Sequence, residues 1–241
     1  MAKVYERMEE WRREGRKVVA WLVDPDRYRR ETAAALSQSG RMPRLVLVGG
    51  SLVSTDVGEV VSDIRRMAPE GTSVVLFPGD YGQLTPSADA VLMLSLVSGR
   101  NPEYLIGQHV RAAHTIRRMG LETIPTAYML IDGGRRTSVE YVSSTIPLPA
   151  DKPDLAQATA MAAEMMGMRA VYLEAGSGAP RPVRRETIAA VRGAVSVPLI
   201  VGGGLRSPEA VDEAFAAGAD IAVVGTAIEQ TPDMAERFFF F

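Results

Sequence analysis

A (β/α)8 barrel is the fold this 241-residue sequence predicts. Eight short apolar runs recur along the chain, and segments with 3.6-residue periodicity separate most of them. The runs are apolar almost throughout rather than alternating, as strands are when both faces of a parallel sheet are covered. An open doubly wound sheet is the alternative that the same pattern allows.

The first run, KVVAWLVD (17–24), follows a charged amphipathic stretch that reads as an extra N-terminal helix over the bottom of the barrel. RLVLVG (44–49) follows helical periodicity at 28–39, and SVVLF (73–77) follows it at 56–67. Before the fourth run, AVLML (90–94), the segment PGDYGQLTPSAD (78–89) carries two prolines and two glycines. It is too short and broken for a full helix, so the third helix is predicted to be missing or replaced by loop. Periodicity returns at 103–119, ahead of TIPTAYML (123–130). The long polar loop 131–153 is of the kind that serves a site or moves. Helical segments at 154–167, 183–193 and 207–217 then alternate with RAVYLE (169–174), VPLIVG (197–202) and ADIAVVG (219–225). The last of these helices has Ser207 as N-cap, Pro208 at its first position and acids in its first turn. Gly40, Gly120, Gly167 and Gly218 stand where helices should stop. No change of composition divides the chain, so 1–241 reads as one domain. The end, RFFFF (237–241), reads first as a packed or frayed terminus and second as an apolar surface for a partner subunit.

Composition narrows the function. With 46% hydrophobic residues the chain can bury a large core. A net charge of −2 points to no nucleic-acid partner. There is no cysteine, and His109 and His114 are the two histidines, so disulfides and cysteine- or histidine-rich metal centres are not expected. Both histidines fall in a helical segment and read as surface or packing residues. No apolar run reaches membrane-spanning length and the first residues are charged, so a cytoplasmic protein is expected. The lysines are Lys3, Lys17 and Lys152, none at the end of a strand, which argues against a Schiff-base aldolase.

In such barrels the active site lies at the carboxyl ends of the strands, with phosphate held after strands 7 and 8. Those two ends read VGGGLRS and VVGTAIE. Glycine lets backbone N–H groups approach an anion, and a following helix start favours it electrostatically. Gly203, Gly204, Gly225 and Thr226 are therefore the candidate phosphate donors, and AGSGA (175–179) closes a third side. Asp24 and Glu174 end two different strands. Asp24, with the Ser51 hydroxyl nearby, suits a Mg²⁺ ligand, although DPD is also good turn chemistry. Glu174 suits a general base, with a salt bridge to an arginine as the plainer reading.

The strand ends LVDPD, VGGS, FPG, SGRNPEYLIGQH, IPTAYMLIDG, YLEAGSGA, VGGGLRS and VVGTAIE, in that order over about 22–229, resemble the geranylgeranylglyceryl phosphate synthase family, which includes the bacterial heptaprenylglyceryl phosphate synthases. YLEAGSGA together with VGGGLRS is the specific combination. The resemblance implies a barrel lacking a normal third helix. It implies a Mg²⁺-dependent prenyltransferase that joins sn-glycerol 1-phosphate to geranylgeranyl diphosphate through an ether bond. On that reading Asp24 and Ser51 hold Mg²⁺ against the diphosphate, Glu174 takes the proton from the glycerol 3-hydroxyl, and Tyr172 orients the glycerol phosphate. Ser177, Gly203, Gly204, Gly225 and Thr226 grip the phosphate, while Arg100 and Tyr128 contact the diphosphate or a neighbouring loop. Leu22 stands where many members carry a lysine, and Arg27 is the substitute in this chain. Leu94, Leu96, Tyr104, Leu105 and Ile106 are the candidate lining of a prenyl groove, with Tyr104 limiting the tail to C20. The family also implies a homo-oligomer, and at most peripheral membrane contact driven by the lipid donor and product. A phosphosugar isomerase, a thiazole/thiamine-phosphate-type synthase and a non-catalytic phosphometabolite binder remain the alternatives.

Overall fold

The computed structural model describes residues 3–230 and 235–239. Eight parallel strands close on themselves in sequence order: β1 (Val18–Val23), β2 (Leu45–Val48), β3 (Ser73–Leu76), β4 (Ala90–Leu96), β5 (Glu122–Leu130), β6 (Ala170–Glu174), β7 (Leu199–Gly202) and β8 (Ile221–Val224). β8 pairs with β1, with Val18 opposite Ile221, so the doubly wound alternative is excluded. Each of the eight predicted runs contains one strand. Helices cover the outside: α1 (Val4–Arg13), α2 (Arg30–Gln38), α3 (Val57–Met67), α4 (Gln108–Met119), α5 (Ser138–Ser143), α6 (Pro153–Met165), α7 (Arg185–Arg192), α8 (Pro208–Ala216), α9 (Thr226–Gln230) and α10 (Ala235–Phe238). No helix among the described residues is long and apolar enough to cross a membrane.

Local chemistry sets the helix starts. Asp56 accepts from the Gly58 and Glu59 N–H groups to open α3, and Arg65 and Arg66 sit in its last turn, where the dipole favours cations. Ser207 accepts from the Ala210 N–H to open α8, as predicted. α1 closes the bottom of the barrel. Its Val4, Met8 and Trp11, at i, i+4 and i+7, pack against Val18, Leu45, Ile124 and Ile221 inside the barrel. Burying each contributes roughly 1.5–3 kcal/mol. The Glu122 carboxylate accepts from the Val4 and Tyr5 N–H groups at 2.7 and 3.0 Å, so the first residue of β5 caps the helix and fixes where it lies. At the other terminus Phe238 and Phe239 are buried in the outer core, which is the packed reading; Phe240 and Phe241 lie outside the described residues.

The predicted break after β3 is present. Only a 3-10 turn, Tyr81–Gln83, stands between β3 and β4. β3 pairs with β4 through two residues, whereas β4 pairs with β5 through seven. The upper half of β4 therefore has no strand beside it and no helix over that gap. Two segments differ from the sequence reading. The helix expected over 103–119 begins as a π-helical turn, Glu103–Gly107, before α4. The loop 131–153 contains α5, which Thr137 caps by accepting from the Glu140 N–H.

Candidate active site

Three aromatic rings floor the carboxyl end of the barrel. Phe77, Tyr128 and Tyr172 meet with ring centroids 5.1–5.8 Å apart. Above them opens a polar cavity whose wall includes Asp24, Ser51, Glu174, Ser177, Gly203 and Thr226. The structure thus brings together residues from the ends of five strands that sequence spacing alone could not join.

Glu174 is 4% exposed. Its Oε1 accepts from the Gly176 N–H at 2.6 Å, and burial outweighs that bond, pushing the carboxyl pKa up to about 7. No arginine reaches it: among the described residues its carboxyl is in no ion pair, so the salt-bridge reading does not hold. The Tyr172 hydroxyl is fully buried and makes no hydrogen bond. Burial first, and then the charge of Glu174, raise the phenol pKa well above its usual value, so this hydroxyl is a donor held without an acceptor. Gly202 leaves room for it: a Cβ there would stand 2.3 Å from the hydroxyl.

The phosphate-binding expectation has a geometric counterpart. Gly203 and Gly204 both adopt left-handed backbone, at φ +79° and +72°. Successive residues of that kind turn their N–H groups into one concavity. A Cβ on Gly203 would lie 2.4 Å from Glu174 Oε1 and 2.6 Å from the Gly176 nitrogen, so only glycine fits between the loops after β6 and β7. The Ser177 and Thr226 hydroxyls are 3.2 Å apart, which joins the loop after β6 to the start of α9 beside Gly225. Arg206, exposed on the rim, donates to the Gly178 carbonyl at 2.7 Å.

Across the cavity Asp24 is half-buried, and burial raises its pKa. Its Oδ1 accepts from the Asp26 N–H at 3.1 Å, so the turn reading of DPD is also correct. Arg27 lies 3.7 Å from Asp24 and 3.3 Å from Glu229, a carboxyl whose pKa burial also raises. Arg27 lines the cavity together with Leu22. The loop bearing Ser51 is held by Gln83, whose amide donates to the Gly50 carbonyl at 2.8 Å and accepts from the Gly79 N–H at 3.2 Å. Asp26 accepts from the Ser54 and Thr55 N–H groups, which lowers its pKa to about 2 and ties the loop after β1 to that after β2.

A second, apolar cavity of about 750 Å³ opens where the third helix is missing, within the ~300–1,000 Å³ of small-molecule sites. Leu94, Leu96 and Tyr104 line it, as expected. Leu105 and Ile106 are not part of that lining, and Ile106 is exposed, because the π-helical turn rotates them away. His109 is a packing residue, and the wall it packs is this groove; its Nε2 lies 3.0 Å from the Leu94 carbonyl, and burial lowers its pKa. Gly50, Ser51, Phe77, Tyr128 and Val139 border both cavities, so the apolar groove runs into the polar site between Ser51 and Tyr128. Arg100 lines neither; it is exposed and donates to the Gly99 carbonyl at 2.7 Å.

Residues 7–240 match the PcrB family. The chain belongs to the PcrB family. It is 51% identical over 231 residues to geranylgeranylglyceryl phosphate synthase of Spirosoma linguale, covering 94% of this chain and 92% of that one. Its identity to the protein of that name from Korarchaeum cryptofilum is 44% over 230 residues, covering 93% of each. Among solved structures it superposes, at a TM-score of 0.90 and 34% identity over 99% of this chain and 96% of the other, on (S)-3-O-geranylgeranylglyceryl phosphate synthase from Thermoplasma acidophilum in complex with its substrate sn-glycerol-1-phosphate. PcrB membership agrees with the resemblance drawn from the strand ends.

Proposed function

We propose that this PcrB-family chain joins sn-glycerol 1-phosphate to geranylgeranyl diphosphate, forming an ether-linked geranylgeranylglyceryl phosphate and releasing diphosphate. The observation that carries the reading is the meeting of two unlike cavities at Ser51 and Tyr128: one polar and glycine-lined, the other apolar and open through the barrel wall. A phosphosugar needs the first alone, whereas a prenyl diphosphate and a glycerol phosphate need both, side by side. The names of the relatives support the same substrates.

Glycerol phosphate sits with its phosphate against Gly203, Gly204, Gly225, Thr226 and Ser177, and the Tyr172 hydroxyl orients it. Glu174, with a pKa of about 7, is ionised in part at neutral pH and able to take a proton. The acceptor hydroxyl oxygen attacks the first carbon of the prenyl chain. Its proton goes to Glu174, and the bonding pair of the broken carbon–oxygen bond leaves with the diphosphate. The diphosphate lies toward Asp24, Ser51 and Arg27. No cluster of three or more acidic or histidine ligands occurs among the described residues, which fits an ion held by one carboxylate, a hydroxyl and substrate oxygens, the usual manner of Mg²⁺. Asp24 and Ser51 would hold it, and when bound it offsets charge on the leaving group. Arg27 supplies the fixed cation that Leu22 does not. Leu94, Leu96 and Tyr104 take the tail, with Tyr104 setting its length. The same reading takes the enzyme as cytoplasmic and homo-oligomeric.

The test is a radiolabel transfer assay with Mg²⁺, geranylgeranyl diphosphate and either sn-glycerol 1-phosphate or its 3-phosphate enantiomer. Organic-extractable product with the 1-phosphate alone, lost on chelation, is the expected result. No product with either acceptor or with longer donors would return the barrel to the isomerase, thiazole/thiamine-phosphate-type synthase or binder alternatives.

A further inference from the structure

Among the described residues, the large apolar side chains that stand exposed form two groups. Leu155, Met161, Met165 and Met166 lie on α6 or just after it. The other six, Leu52, Tyr81, Ile106, Val110, Tyr141 and Ile146, all belong to segments that follow β2, β3, β4 and β5, around the carboxyl ends of those strands. Leu52 is 81% exposed and Ile146 86%, so these are not core residues with a visible edge.

Contacts tie the six into one rim. The Tyr81 N–H donates to the Gln108 side chain at 3.1 Å, and the Arg111 guanidinium lies over the Tyr81 ring at 5.4 Å, which joins the turn after β3 to α4. The Asn101 amide donates to the Ser143 carbonyl at 2.7 Å, which joins the segment after β4 to α5. Tyr81 from one side and Val139 and Val142 of α5 from the other line the apolar groove, so the rim surrounds its mouth. Exposed apolar side chains gathered around one opening mark an interaction surface, where scattered ones do not. Arg100 and Arg135 stand on the same end of the barrel and hold only backbone carbonyls among the described residues, leaving their charge without a carboxylate.

We propose that this rim docks on the surface of an anionic lipid bilayer. The apolar side chains enter the headgroup layer, and Arg100 and Arg135 meet the lipid phosphates. The proposal rests on the prenyltransferase reading, which supplies its reason: donor and product both carry a prenyl tail, and a groove that opens onto the bilayer takes in or releases that tail without carrying it through water. It goes beyond contact driven by the substrate, because it assigns the attachment to side chains of the protein.

The test is co-sedimentation of the substrate-free protein with vesicles of equal parts phosphatidylglycerol and phosphatidylcholine, beside vesicles of phosphatidylcholine alone. The protein should pellet with the anionic vesicles and more weakly with the neutral ones. A Val110→Ser, Ile146→Ser double variant should lose about tenfold in partition, the effect of withdrawing a few buried methyl groups. A Met165→Ser, Met166→Ser variant, equally exposed but on the flank, should pellet like the parent. No binding by the parent, equal binding to neutral vesicles, or equal loss in the two variants overturns the proposal. So does a rim variant that binds vesicles normally but has a lower mass in solution, which would give the rim to a second copy of the chain. Turnover of detergent-dispersed donor is measured separately. Vesicle binding without turnover supports docking and counts against the synthase reading alone, whereas turnover without vesicle binding counts against docking alone.

Discussion

Replacing Glu174 with glutamine separates two effects of one buried carboxyl. The side chain keeps its shape, and its Oε1 still accepts from the Gly176 N–H. What it loses is the ability to titrate. The ordinary carboxyl value is 4.5 and burial raises Glu174 to about 7. A separation of about 2.5 units corresponds to about 3 kcal/mol. The folded pKa lies above the unfolded one, so the folded state holds the proton more tightly. Below 4.5 both states are protonated and ionisation costs nothing. Between 4.5 and about 7 the stability of the parent falls as pH rises, and above about 7 it carries the full cost. The glutamine variant escapes that cost. In chemical denaturation its stability relative to the parent should therefore grow by about 2–3 kcal/mol between about pH 5 and about pH 8. At the same time, transfer should fall by about 10²–10⁴-fold, the usual contribution of a positioned base. In the parent, kcat/KM should rise with pH through about 7, because the active form is the carboxylate. A stability difference that stays flat across this range would refute the buried, high-pKa carboxyl; a variant with parental turnover would refute its use as the base.

Three other substitutions test other parts of the site. Tyr104→Ala should admit donors longer than C20, read from the kcat/KM ratio of longer to C20 donors; an unchanged ratio removes Tyr104 as the limit. Gly203→Ala should destabilise the barrel by about 2 kcal/mol or more in denaturant and abolish glycerol phosphate binding, because its Cβ would lie 2.4 Å from Glu174 Oε1 on left-handed backbone. Asp24→Asn should raise the Mg²⁺ concentration needed for half-maximal rate by about tenfold or more, with the KM for glycerol phosphate little changed; an equal rise in that KM would mean the carboxylate serves the acceptor instead.

The strands were legible because nothing competes with burial in LVLV or IAVV: covered on both faces, they need only be apolar. The gap after β3 was legible because proline and glycine break helices by local sterics, whatever surrounds them. The phosphate loops were readable for the same reason, since left-handed backbone at Gly203 and Gly204 is a property of the residue itself. What escaped depends on contacts between distant segments. The rotation that removes Leu105 and Ile106 from the groove comes from a π-helical turn, which shares its periodic signal with an α-helix. Glu229 became part of the site because Arg27 reaches it from 202 residues away. Arg100 was carried to the site by its motif, yet its guanidinium is taken up by the carbonyls of its own loop. The helix α5 was overlooked because six residues are too few for a period to show, although Thr137 followed by Glu140 is a helix start.

A closed barrel ordinarily has no edge strand, which is how such folds avoid pairing with other chains. This one has an edge indoors. Two residues join β3 to β4, and beyond them the backbone of β4 faces the groove rather than a neighbouring strand. His109 occupies one of its carbonyls, at Leu94, and Tyr104 and Ala112 cover it from outside. The helix that would normally seal this seam has been given up for a space that takes a lipid tail, while the exposed backbone that would otherwise invite aggregation stays behind α4. An empty groove and a filled one thus differ in what shields a strand edge, so occupancy by the donor should matter as much to the protein's solubility as to its turnover.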